Sequence, residues 1–335
     1  MAKDSLVHVR RPPSYLMQST TDIIEKFRHI QQQEDMRLRD ATMNPQDSKW
    51  TLGVSVLGHN DHRNRYVNIM PYERNRVKLG VEVGNDYINA SFIKVNVPEQ
   101  SMKPGHYIAS QGPTSRTWPQ FWHMCYQQCP DDNIVIVMVT PLTENGREKC
   151  FPYWPGSREA KLKAPKEQFP GGPEDVSVFS TALEIKFQDS VRESDYTLTT
   201  LKLKPSDSSL PTKTVHHFYF DQWRDMSKPD EIIPILNLSR HANELNSNEN
   251  PIIVHCSAGV GRTGTFITLD HLFHNTVDFD ATAQKSPSKY THDLIEQIVL
   301  QLRTQRLKMV QLMDQYLFIY HAAQHVYDVL TRRDM

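Results

Sequence analysis

The chain has 335 residues, with 38 lysines and arginines against 39 aspartates and glutamates and a formal net charge of −1. Near-neutrality excludes the global basic field that draws a protein to nucleic acid or an anionic membrane, so attraction to an acidic ligand must be local. Cys125, Cys129, Cys150 and Cys256 lack the spacing of a disulfide or zinc framework. With no apolar N-terminal leader and no apolar run of about 18 residues, a soluble cytoplasmic protein with free thiols is expected.

Residues 1–19 read as a flexible tail. From Asp22 to Ala41 the apolar spacing predicts an amphipathic helix, with Thr20 or Thr21 as its cap. Residues 60–113 alternate short apolar runs with Pro, Gly and Asn, predicting loops and strands such as Tyr87-Ile88 and Tyr107–Ala109. A helix is predicted over Trp118–Cys129, and Asn133–Thr140 is the best buried strand in the chain. Residues 156–180, rich in Pro, Gly, Lys and Glu, read as an exposed insertion. Strands are predicted at 182–188, 195–204 and 212–220, then helices at 231–246, 262–276, 289–307 and 313–331, with a polar loop at 278–290. No composition break divides the chain, so a single α/β domain over 20–330 is expected.

Val254-His255-Cys256-Ser257-Ala258-Gly259-Val260-Gly261-Arg262-Thr263-Gly264 carries the chemistry. Pro251–Val254 predicts a strand and Thr265–His274 a helix, so the segment between them lies against a helix N-terminus. Backbone N–H groups and the helix dipole there favour an anion, and successive N–H groups of a glycine-rich turn can cradle phosphate oxygens. The same field favours the thiolate of Cys256, the nucleophilic form. Arg262 can grip two phosphate oxygens with its planar fork. A cysteine followed by an arginine at this spacing arises by chance in about 20% of such chains, but adding Gly259, Gly261 and Thr263 reduces that to roughly one in ten thousand. Gly259-x-Gly261-x-x-Gly264 also matches a dinucleotide fingerprint, which requires a second strand ending in an acidic residue. Only helices and a polar loop are predicted after Gly264, which disfavours that reading. The remaining bland reading is a buried structural cysteine in a glycine turn.

A phosphocysteine route needs an acid for the leaving group and a base for water, and one carboxyl group can serve both steps. After the strand ending at Phe220, Asp221 and Asp225 are both candidates, with Trp223 able to desolvate the acid and anchor a lid. His216-His217, His271-x2-His274 and His321-x3-His325 lack companion ligands and read as packing or surface residues rather than a metal site.

Several segments together resemble the non-receptor, tyrosine-specific protein-tyrosine phosphatases, and most closely the small soluble yeast enzymes. Arg63-Asn-Arg-Tyr66 resembles their phosphotyrosine-recognition loop. Asn85–Ser91, Tyr107–Pro113 and Lys149–Pro155 match core and loop motifs, and Val310-Gln311 with Asp314-Gln315 resembles the loop that positions water. The resemblance spans about residues 22–327. It implies the cysteine-phosphatase fold: a highly twisted mixed central sheet flanked by helices, with the phosphate loop between a strand and a helix. It implies Cys256 as nucleophile, Arg262 as phosphate ligand, Asp225 as general acid and Thr263 as a group helping the thiolate leave. His255 would tune the thiolate, while Gln311 and Gln315 would handle water. Ser257, Ala258, Gly259, Val260 and Gly261 would bind phosphate, Tyr66 and Asn68 would bind the substrate, and Trp223, Glu144 and Lys149 would support them. No metal or organic cofactor is implied. The expected partners are phosphotyrosine-containing proteins, acted on by a monomer without nucleic acid or membrane.

Four positions depart from the family pattern. Arg224 replaces the usual lid proline, which frees φ and restores an N–H. Asn68 stands where an acidic residue often grips substrate backbone. Leu312 replaces a common threonine, and Lys308 stands where some members carry a small residue that opens a second pocket. A phosphothreonine- or lipid-tolerant enzyme, or a binding module impaired through Arg224, are the alternative readings.

Overall fold

The computed structural model describes residues 11–223, 232–280, 282 and 292–333. One nine-stranded sheet carries the site. Its strands are β1 (Arg76–Lys78), β2 (Tyr87–Val95), β3 (Gly105–Ser110), β4 (Asn133–Met138), β5 (Leu162–Ala164), β6 (Leu183–Arg192), β7 (Thr197–Pro205), β8 (Lys213–Tyr219) and β9 (Ile252–His255). Their spatial order is β1-β2-β3-β9-β4-β8-β7-β6-β5. The central strands β3, β9, β4 and β8 are parallel, and the flanking pairs are antiparallel. The sheet is therefore mixed and carries helices on both faces, as the α/β reading requires.

Strand β4 shows why. Ile134, Ile136 and Met138 face α2 (Trp118–Gln128), packing with Phe121, Trp122 and Cys125. Val135 and Val137 face the opposite core. That second core holds α1 (Thr20–Met43), α3 (Ile232–Leu245), α4 (Gly261–Asn275), α5 (Leu294–Arg303) and α6 (Met313–Arg333). With both faces covered, the strand reads as a continuous apolar run. Each fully buried Val or Ile contributes about 1.5–3 kcal/mol. Strand β9 repeats the alternation, with Ile252 and Val254 on the α4 side and Ile253 on the α2 side.

Several boundaries differ from expectation, each for a local reason. Helix α1 is capped by Ser19, not by either threonine: Ser19 is extended and its Oγ accepts the Asp22 N–H at 3.1 Å. The segment read as tail is not free throughout. Ser14–Met17 form a 3-10 turn that buries Tyr15 and Leu16, and the Tyr15 hydroxyl donates to Asp278 at 2.9 Å. Helix α5 is shorter than 289–307, because Asp293 caps it by accepting the Glu296 N–H at 3.1 Å. The chain then turns through Lys308 and Val310, both at positive φ. Residues 156–180 are more than an exposed insertion. They contribute β5, bury Phe179 against His123, and place Asp175 on the buried Arg63 guanidinium at 2.8 Å. Phe279 is buried within the predicted polar loop, and 281 and 283–291 lie outside the described residues.

Candidate active site

Strand β9 ends at His255 and α4 begins at Gly261, so Cys256 and the four residues after it form a loop at the helix N-terminus. Gly259 allows the loop to close. Its φ is +77°, and a Cβ there would lie 2.1 Å from the Ser110 carbonyl oxygen. The closed loop aims donors at the sulfur: the Gly259 N–H reaches Cys256 Sγ at 3.3 Å and the Thr263 hydroxyl at 3.2 Å. Both donors, with the helix dipole, favour negative charge at that point.

The loop floors a cavity of about 310 Å³. Cys256, 5% exposed, lies at its base. Tyr66 forms one wall, its hydroxyl paired with Ser257 Oγ at 2.8 Å, and Asn68, Gln311 and Gln315 line the rim. Opposite them, the Thr143–Glu144 and Arg147–Glu148 strands form a hairpin whose Asn145-Gly146 turn has positive φ at both positions. That turn presents Glu144, whose carboxylate receives both Arg262 terminal nitrogens, at 3.0 and 3.1 Å. The arginine fork is thus held in a bidentate frame at the pocket. Lys149 also lines the cavity, and its carbonyl accepts the Ser257 hydroxyl at 2.8 Å. Ala258 and Gly261 complete the lining together with Ile69 and Thr140, and the buried Val260 carbonyl accepts the Val310 N–H at 3.0 Å.

His255 does not touch the sulfur. Its Nδ1 lies 3.0 Å from the Cys256 carbonyl, which can only accept, so Nδ1 carries the proton. Its Nε2 then accepts from the Tyr153 hydroxyl at 2.6 Å, and Tyr153 in turn accepts from His217 Nε2 at 2.8 Å. Burial pushes the His255 pKa down to about 4, so the ring is neutral at physiological pH. Any influence on the thiolate runs through the backbone it orients.

One arginine that the sequence does not mark as functional holds the loop. Arg306 is fully buried beneath it, donating to the Gly259 carbonyl at 2.9 Å, Ala258 carbonyl at 3.1 Å, Ser91 Oγ at 3.0 Å and Asn89 Oδ1 at 2.8 Å. Burial lowers its pKa to about 10, which leaves it charged at neutral pH and adds positive potential under the sulfur. Arg65, next to Tyr66 in the chain, donates to the Gly112 and Pro113 carbonyls at 2.9 and 2.6 Å. Arg306 gives no sequence signal, because its side-chain acceptors Ser91 and Asn89 lie 215 and 217 positions away on strand β2.

Of the two acid candidates, Asp221 lies 3.9 Å from Arg192 on β6. Asp225, with Arg224, lies outside the described residues. Trp223 is buried edge-on against Phe220, with ring centres 6.1 Å apart, which fixes the start of the segment that leads to Asp225.

A family model described as protein-tyrosine phosphatase matches residues 60–325. The chain is 59% identical to tyrosine-protein phosphatase 1 of Saccharomyces cerevisiae, over 94% of this chain and 97% of that protein. It is 34% identical to tyrosine-protein phosphatase 2 of Schizosaccharomyces pombe and 35% identical to the mouse receptor-type tyrosine-protein phosphatase C. Those alignments cover 92% and 82% of this chain, but only 40% and 19% of the longer relatives. A thiol at the floor of an anion cradle, a bidentate arginine and these alignments agree: the chain belongs to the protein-tyrosine phosphatase family and is an enzyme of that class.

Proposed function

We propose that catalysis runs through Cys256 on phosphotyrosyl proteins, with the following division of labour. The Cys256 thiolate attacks phosphorus, an S–P bond forms and the P–O bond to the tyrosine breaks. Asp225 gives the departing phenolate its proton. In the second step water attacks phosphorus, the S–P bond breaks, and the Asp225 carboxylate takes the water proton, returning thiolate and inorganic phosphate. Gln311 and Gln315 hold the water, Thr263 donates to the departing sulfur, and Arg262 with the loop N–H groups binds the equatorial oxygens. Phosphate-monoester hydrolysis asks for up to ~10²¹-fold acceleration, about 28 kcal/mol. Dividing it into two steps, each with donors in place, lowers that demand.

The observation that carries this reading is the position of Cys256 Sγ, bonded by Gly259 and Thr263 at the base of a cavity walled by Tyr66. An aromatic phosphate ester is long enough to reach it with its ring against Tyr66, whereas phosphoserine is too short. No described helix is long and apolar enough to cross a membrane. We further propose that the enzyme acts as a monomer in the cytoplasm and opposes tyrosine-phosphorylation signalling. Matched phosphotyrosyl and phosphoseryl peptides assayed in EDTA test the reading. Tyrosyl kcat/KM should exceed seryl by at least about a hundredfold, and comparable rates would overturn it.

A further inference from the structure

The loop between α5 and α6 carries Gln311, yet it is held in an unfavourable backbone shape. Lys308 and Val310 have φ of +56° and +60°. Side chains rarely adopt that region, and a β-branched residue there is an outlier that surrounding structure must impose. The imposing contacts come from α1 and the end of α5. Glu34, 1% exposed, accepts the Lys308 N–H at 2.7 Å and pairs with the fully buried Arg303 guanidinium. Arg303 donates in turn to the carbonyls of Met309 at 2.6 Å and Val310 at 2.9 Å. The Val310 N–H then donates to the Val260 carbonyl at 3.0 Å, tying the strained loop to the phosphate loop. Gln31 and Phe27, one and two turns before Glu34, also meet Arg303: the amide oxygen accepts at 3.1 Å and the ring lies 5.7 Å from the guanidinium. One face of α1 is therefore built around Arg303.

We infer that Glu34 is a positioning residue for hydrolysis of the phosphoenzyme: through Arg303 and the Lys308 N–H it holds the shape that places Gln311 over the phosphoryl group. Helix α1 lies before residue 60, where the family-model match begins. The inference rests on the proposed role of Gln311. It separates the two steps, because the first needs only the phosphate loop and the acid, and the second needs an ordered water. A misplacement of the water-bearing group by about 1 Å costs on the order of a hundredfold.

The test is pre-steady-state and steady-state kinetics of Glu34→Ala and Glu34→Gln, alongside Gln311→Ala and Ile23→Ala. Ile23→Ala cuts a buried α1 side chain away from the loop and reports simple loss of stability. Glu34→Ala should show a burst of phenol release, an accumulated phosphoenzyme, and a kcat reduced by about ten- to a hundredfold. Its KM should fall in parallel, leaving kcat/KM within about twofold, because kcat/KM reports the first step. Glu34→Gln keeps an oxygen for the Lys308 N–H but not the charge, and should fall in between. It also serves if the alanine variant does not fold. Ile23→Ala should show no burst beyond wild type. Parallel loss of kcat and kcat/KM in both Glu34 variants, or no accumulation of phosphoenzyme, would overturn the inference. If Gln311→Ala accumulates phosphoenzyme and the Glu34 variants do not, only the inference falls. If Gln311→Ala also fails to accumulate it, the assignment of Gln311 falls and takes the inference with it.

Discussion

Two loops close the pocket, and they are held in opposite ways. The phosphate loop runs over Cys256–Gly261, uses a glycine where φ is positive, and bonds its own sulfur with its own N–H. The Gln311 loop puts a lysine and a valine at positive φ and relies on side chains from α1 and α5 to keep them there. The first loop owes its positive φ to its own glycine and takes outside support from Arg306 beneath it; the second has no glycine, and its positive φ is imposed by packing from distant elements. A loop that must present N–H groups to an anion cannot tolerate a Cβ against its backbone. A loop that must present one amide side chain can be shaped from outside.

The largest effect should come from breaking the local device. Gly259→Ala places a Cβ 2.1 Å from the Ser110 carbonyl oxygen at a φ of +77°. Both strain and displacement follow, so turnover should fall by more than about a hundredfold and stability by about 1–3 kcal/mol. Steady-state kinetics and denaturant unfolding measure the two. Unlike the expected Glu34 phenotype, this loss should appear in kcat/KM as well as kcat, and an unchanged kcat/KM would break the contrast between the loops.

A smaller effect should separate their supports by pH. The phosphate loop leans on a neutral, buried His255, whose pKa is lowered from 6.5 to about 4. A histidine depressed on folding binds fewer protons folded than unfolded. Its contribution is present above the unfolded pKa near 6.5 and is lost as pH falls toward about 4. Unfolding free energy measured across that window should decline in the wild type and decline less steeply in His255→Gln. Identical slopes would show that His255 is not the group that titrates.

What the sequence reveals follows the same division. The phosphate loop, the place of Tyr66 in the pocket wall, strand β4 and the order of helices α3 to α6 are legible because period, glycine placement and motif spacing are local. The bounds of α5 are missed because the predicted pattern runs past the Asp293 cap and the turn after Arg303. Residues 156–180 look solvated from their charge, yet Asp175 meets Arg63, 112 positions away. Arg303, Arg306 and Glu34 are invisible for the same reason. A buried guanidinium is identified only by its acceptors, and those arrive from other elements. Asp225 is named by the motif after Trp223, and the fixed ring of Trp223 is the nearest described point to it.

The central claim is that the phosphoryl group passes through Cys256. Acid quenching of Gln311→Ala during turnover of a phosphotyrosyl peptide, followed by proteolysis and mass spectrometry, tests it directly. The account predicts a phosphate on the peptide containing Cys256, absent in the Cys256→Ser, Gln311→Ala double variant. Continued turnover with no phosphate on Cys256, or a phosphate on another residue, would contradict it.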